Sequence, residues 1–425
     1  MRIIDSLESD VRSYVRSFPA VFDTAEGAIL RDDQGDEYID FFAGAGTLNY
    51  GHNHPKVTRA LVKYLERNGI VHALDKATVA KLDFLQKFSD TILSPRGLDY
   101  KIQFTGPTGT NVVETALKLS RMVKQRSNIV AFTNAYHGLT MGALAVTGND
   151  FYKDESYGAR TNVAHVPYDG YFGKDVNTID FLRKLLSDTG SGVDLPAAII
   201  VETIQGEGGI NVASFKWLKA LEQLCRELDV LLIIDDIQVG NGRTGPFFSF
   251  EEAGILPDMV CLSKSIGGGL PMAILLMRPV LDQWQPGEHT GTFRGNSLAF
   301  VASTELLNYW ETDDLTKSVE YKSRIIGDTL HQLADDLPEL EMNVRGRGMV
   351  WGVDMPKTGF AGEVSTRAFE KNLLVETCGN NSQVVKFLPP LIIEEDLLRE
   401  GLKRFTDTVG ELWTDKQAAY SGDVL

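Results

Sequence analysis

Val230-Leu231-Leu232-Ile233-Ile234-Asp235-Asp236-Ile237-Gln238-Val239-Gly240 is the stretch that decides the fold. Its short apolar run reads as a buried strand, and a carboxylate placed directly after such a strand is costly unless a positive group meets it. Taken alone, Asp235 is equally well read as a turn or capping acid. A second run of the same kind, Met259-Val260-Cys261-Leu262-Ser263, ends in Lys264 and the loop Ser265-Ile266-Gly267-Gly268-Gly269-Leu270-Pro271. A lysine at the end of a buried strand is badly placed to be a solvated surface charge. Desolvation lowers its pKa and leaves a nucleophilic amine, which is what Schiff-base lysines require. The glycines let backbone approach a bulky group closely.

Working outward, further short apolar runs occupy 101–104, 129–132 and 197–201, and helical spacing marks 112–124, 178–186 and 215–228. This strand–helix alternation predicts a mostly parallel sheet with helices on both faces, an α/β architecture. Upstream, Val57, Ala60, Leu61, Tyr64 and Leu65 fall on one helix face, and 28–31 and 37–42 read as a hairpin around Asp32-Asp33-Gln34-Gly35. Beyond residue 315, a helix over 317–335 and strands at 348–354 and 384–387 read as a separate, smaller unit. In open α/β sheets ligands bind at the carboxyl ends of the strands, so those ends are where function is sought.

Phe104-Thr105-Gly106-Pro107-Thr108-Gly109-Thr110-Asn111 joins one strand to the helix from Val112, and Asn111 with Glu114 resembles a capping box. A small glycine-containing loop at a helix N-terminus is a natural phosphate seat. Neither a P-loop nor a GxGxxG pattern is present, so a nucleotide is not the obvious phosphate bearer. Tyr136-His137-Gly138 sets an aromatic residue after the 129–132 strand, in place to stack on a flat ring, while His137 by itself makes no metal site. An acid, a lysine, a phosphate seat and an aromatic at the strand ends of one sheet together describe a pyridoxal phosphate pocket.

Composition sets the outer limits. At 425 residues the chain has room for about two or three domains. Acids outnumber bases 58 to 42, for a net charge of −16, which argues against nucleic acid or an anionic membrane as partner. Three scattered cysteines, Cys225, Cys261 and Cys378, suit neither a disulfide framework nor a zinc site, so no metal is expected. No apolar run approaches the roughly 20 residues of a membrane helix, and the first residues lack a signal-peptide core. A cytoplasmic location is expected.

The sequence resembles the class III (ornithine/ω-amino-acid) aminotransferases, fold-type I pyridoxal phosphate enzymes, from about residue 18 to about residue 410. The similarity rests on markers in order. Gly51-His52-Asn53-His54-Pro55 is similar to the family's G-H-x-H-P element, and Thr108-Gly109-Thr110 to its phosphate loop. Tyr136-His137-Gly138 is similar to the ring-stacking segment, and Glu202-Thr203-Ile204-Gln205-Gly206-Glu207-Gly208-Gly209 to E-P-x-Q-G-E-x-G. Asp235-Asp236-Ile237-Gln238 is similar to D-E-V-Q, with Lys264 following Asp235 by 29 residues.

The resemblance implies a large pyridoxal-phosphate-binding domain over 56–315. A smaller α+β domain is built from both termini, 1–55 and 316–425. It implies that Lys264 carries the cofactor and shuttles the proton, that Asp235 holds the ring nitrogen, and that Gln238 bonds the phenolic oxygen. Tyr136 would stack on the ring, and Gly109 and Thr110 would bind phosphate, joined by Thr292 reaching across a homodimer or higher oligomer. Glu207 corresponds to the acid that pairs with a substrate-binding arginine. Two departures stand out: Lys386 occupies the place of that arginine, with Arg294 where the family often has glycine, and Leu139 stands where several ω-aminotransferases carry arginine. The stretches 235–245 and 293–300 look most like family members that pass an amino group from glutamate to aspartate 4-semialdehyde in ectoine synthesis. Acetylornithine, ornithine, 4-aminobutyrate or lysine remain alternative donors, and a cofactor-binding protein without turnover is the non-enzymatic alternative.

Overall fold

The structure, a computed structural model, describes residues 2–158, 161–173 and 175–422. Its centre is a seven-stranded sheet of β1 (Lys101–Phe104), β2 (Ile129–Phe132), β3 (Val163–Val166), β4 (Ala198–Val201), β5 (Leu231–Asp235), β6 (Met259–Leu262) and β7 (Ile274–Met277). The spatial order is β1-β7-β6-β5-β4-β2-β3. Strands β3, β2, β4, β5 and β6 run parallel to one another, and β7 is antiparallel to both β6 and β1.

Successive side chains of a strand point to opposite faces, so a strand apolar at every position needs cover on both sides. Strand β5 shows this sorting: Leu232 and Ile234 enter one core with Trp217, Leu218 and Leu221 of the helix Phe215–Glu227. Leu231 and Ile233 enter the other, with Val112, Ala116 and Leu119 of the helix Gly109–Lys124. The expected strands and helices of this region lie where the sequence places them, within a few residues at their ends. The sequence leaves two strands unassigned. β3 is short, carries His165 and lies at the sheet edge, so its apolar signal is weak. The 272–277 run is apolar, but its antiparallel strand is set by pairing between β6 and β1.

The hairpin expected at the N-terminal end forms from Ile29–Asp32 and Glu37–Asp40, with Phe22–Glu26 added at its edge. The pair Leu373–Leu374, far later in the chain, runs parallel to Glu37–Asp40 and completes that sheet. A second small sheet has the order Asn343–Arg347, Val350–Asp354, Val384–Phe387, Glu376–Cys378 and is antiparallel throughout. The helix Glu395–Gly422 packs N- and C-terminal parts together. Phe405 meets Phe387 edge-on at 4.7 Å, and a Cβ on Gly401 would lie 2.3 Å from the buried Phe41 ring. Gly401→Ala should therefore destabilise the protein by about 1–3 kcal/mol through overpacking, read as a lower denaturation midpoint. An unchanged midpoint would mean that the helix slides freely over Phe41. Among the described residues no helix is long and apolar enough to cross a membrane.

Candidate active site

Strand register brings the two chemical groups together. Asp235 pairs with Cys261, so β5 and β6 end side by side and Lys264 follows shortly after that pair. Both residues line one cavity of about 310 Å³, with Gly109, Thr110, Tyr136, His137, Glu202, Glu207, Ile237 and Gln238. Lys264 sits at φ 50°, in the left-handed region that costs a side-chain-bearing residue about 1–2 kcal/mol. Strain of this kind collects where a side chain must be aimed. Burial lowers the Lys264 pKa, with Glu207 pulling the other way.

Asp235 is buried, and its Oδ2 lies 2.7 Å from His137 Nδ1 while Oδ1 accepts from the Ile237 amide at 3.2 Å. His137 Nε2 is buried without a partner. Among the described residues no cluster suited to a metal exists, and the contact this histidine's ring makes is with the Asp235 carboxylate. The next residue, Asp236, points to the other side, where it accepts from the Ser249 amide and hydroxyl.

The helix after β1 begins at Gly109, ahead of the Val112 start that a capping box at Asn111 requires, and Thr108 does not cap it with its side chain. Asn111 accepts from the Thr108 hydroxyl at 2.8 Å. Glu114 caps a different helix: its Oε1 accepts from the Gly142 and Ala143 amides at 2.8 and 3.1 Å. The expected capping box is thus absent, because a second helix N-terminus, Met141–Val146, competes for Glu114. The Gly109 end is left uncapped beside the cavity, where its amides and dipole favour an anion. Gly138 also has to be glycine, since a Cβ there would lie 2.6 Å from Thr110.

Tyr136 is half-buried on the cavity wall, its amide donating to Glu202 Oε2 at 3.0 Å. Burial pushes its phenol up to about 12. Burial likewise pushes the Glu202 carboxyl well up, and the nearby Asp235 charge adds to it. The Gln238 amide donates to Glu207 Oε1 and to the Ala45 carbonyl, both at 3.0 Å. Glu207 also accepts from Lys386 at 2.6 Å. Burial alone would raise Glu207, but Lys386 and then Lys264 outweigh it and hold its carboxyl at about 2.

Not every expected site residue reaches this cavity. Lys386 is fully buried behind Glu207. Thr292, whose carbonyl meets His72 Nε2 at 3.0 Å, and Arg294, 3.6 Å from Asp75, belong to another region. There Arg294 lines a separate cavity of about 560 Å³ with Lys81, Phe104 and Trp284. Sequence reasoning passes over Glu376, which lies 3.0 Å from Lys386 Nζ, and no local pattern around it gives a signal.

The donor set suits pyridoxal phosphate: an amine for its aldehyde, a buried carboxylate for its ring nitrogen, and uncapped amides for its phosphate. Tyr136 and Ile237 supply flat and apolar wall for the ring.

Comparison with known proteins agrees. The class-III aminotransferase family model matches residues 11–409. A diaminobutyrate–2-oxoglutarate transaminase from Wolinella succinogenes is 60% identical over 418 residues, covering 98% of each chain. One of the same name from Halomonas elongata is 53% identical, over 94% of this chain and 96% of its own. Among solved structures, ornithine aminotransferase from Toxoplasma gondii superposes with a TM-score of 0.84 at 27% identity, covering 97% of this chain and 95% of its own. Fold, pocket and sequence agree, and the chain belongs to the class-III aminotransferases, with pyridoxal 5'-phosphate as cofactor.

Proposed function

We propose that this enzyme transfers an amino group from glutamate to L-aspartate 4-semialdehyde, giving 2-oxoglutarate and L-2,4-diaminobutyrate, the first committed step of ectoine synthesis. The observation that carries the reading is a single cavity lined by Lys264, Asp235, Gly109, Tyr136 and Glu207. Near-full-length identity of 60% to a diaminobutyrate–2-oxoglutarate transaminase supports the choice of substrate. Bound pyridoxal phosphate supplies the aldehyde that takes the amino group and a ring that withdraws electrons from the substrate carbon.

The chain's own groups do the rest. Lys264 holds the cofactor and moves the proton at the substrate carbon, a task suited to an amine whose pKa burial has lowered. Asp235, oriented by His137, holds the proton on the ring nitrogen. Tyr136 would pack on the ring, Gln238 would bond its phenolic oxygen, and Gly109 and Thr110 would seat the phosphate, since all four line the cavity. Glu207 neutralises Lys386 while an ω-amine reacts and releases it when the α-carboxylate of glutamate enters.

A homodimer or higher oligomer is part of the same reading. Ile70, Val71, Leu74 and Phe293 are exposed on segments that meet through His72 with Thr292 and Asp75 with Arg294, an apolar surface that suits a second copy. In such a dimer Thr292 and Arg294 serve the partner's site. Domains over 1–55 with 316–425, and over 56–315, and a cytoplasmic location complete the proposal. The test is a panel of amino donors assayed against 2-oxoglutarate with product identification. We expect 2,4-diaminobutyrate to exceed ornithine, acetylornithine, 4-aminobutyrate and lysine in kcat/KM by about tenfold or more. A higher value for any of the others would transfer the assignment to that donor.

A further inference from the structure

The wall behind Glu207 holds three charges where one ion pair would satisfy a carboxylate-binding cation. Lys386 Nζ lies between Glu207 Oε1 at 2.6 Å and Glu376 Oε1 at 3.0 Å. Glu376 is paired directly with Lys386 across neighbouring antiparallel strands, so the sheet register fixes the contact. Lys386 is fully buried and Glu376 is 5% exposed, which leaves water little part in screening them. With both acids ionised, the row reads minus, plus, minus and carries one net negative charge. Glu376 Oε1, although close to the ammonium, makes no well-directed hydrogen bond. The Tyr14 phenol packs against the same carboxylate, and Lys264 is the next cation that feels its charge. Burial pushes the Glu376 carboxyl up to about 7, against the pull of Lys386. The second acid is therefore held at a cost that Lys386 alone does not require.

We propose that Glu376 is a positioning residue for substrate choice: acting through Lys386, it weakens the hold on the α-carboxylate of glutamate and 2-oxoglutarate and leaves the ω-amine half-reaction untouched. The inference rests on the reaction proposed above. Glutamate and 2-oxoglutarate bring a carboxylate to Lys386, and the Glu376 charge opposes it. While the ω-amine of 2,4-diaminobutyrate reacts, Glu207 stays on Lys386 and no carboxylate of that substrate meets the row. A residue that merely supported the fold would not tell these substrates apart.

The experiment compares the wild-type holoenzyme with Glu376→Gln and Glu376→Asp. Glutamate is titrated alone against the cofactor's absorbance, and KM and kcat are measured for 2,4-diaminobutyrate with 2-oxoglutarate. In Glu376→Gln the half-saturating glutamate concentration should fall about tenfold while the KM for diaminobutyrate stays within about twofold of wild type, with little change in kcat. Glu376→Asp should restore the wild-type order. An equal fall for both substrates, or an unchanged glutamate titration, would overturn the role of Glu376. Failure of the wild type to use diaminobutyrate would overturn the proposed reaction instead, and the glutamate titration would still decide Glu376.

Discussion

Lys264→Ala should reduce turnover by at least about four orders of magnitude while the protein stays folded and still binds pyridoxal phosphate without a covalent link. Among the described residues no other lysine lines the cavity, so no neighbouring amine can take over the proton transfer. The loop that follows Lys264 ends its turn at Gly268, φ 62°, and does not depend on the lysine side chain for its shape. Removing the buried amine also relieves a desolvation cost, so thermal stability should hold steady or rise. Lys264→Arg should be as inactive as alanine, because a guanidinium stays charged and cannot accept the proton. Added small primary amines should restore part of the rate in the alanine variant. Full activity in either variant would remove Lys264 from the mechanism, whatever its position.

Asp235→Asn should lower kcat by about 10²- to 10³-fold and weaken cofactor binding, the size expected when a buried charge aimed at the reacting system is removed. The amide keeps the shape but not the charge that holds a proton on the ring nitrogen. It also alters the contact with His137 Nδ1 at 2.7 Å. The control is next door: Asp236→Asn alters an acid of similar burial that bonds Ser249 and does not line the cavity. Its effect should fall on stability, leaving kcat within a few-fold of wild type. Both rates come from steady-state assays, and affinity from cofactor titration of the apoprotein. Equal losses in the two variants would show a general folding defect and no special role for Asp235.

Both substitutions fall on residues that the order of the chain already reveals. Apolar runs sealed on both faces make β5 and β6 legible, because a strand covered on each side must be apolar at every position. The strand ends therefore announce Asp235 and Lys264 before any coordinates exist. The capping-box expectation at Asn111 fails for the opposite reason. Local spacing cannot show that Glu114 is claimed by the Met141–Val146 helix, which approaches from another part of the chain.

The sequence by itself determines the α/β sheet, the strand ends that carry the chemistry and the family markers in their order. All of these are local: a run of side chains, a turn, a fixed interval. The tertiary structure alone decides the surroundings. It sets His137 against Asp235, turns Asp236 away, joins Leu373–Leu374 to a strand formed by residues 37–40, and places Glu376 on Lys386. Each of these is a contact between segments far apart in the chain or a choice of sheet register. Their energies depend on burial and distance, and neither quantity exists until the chain has folded.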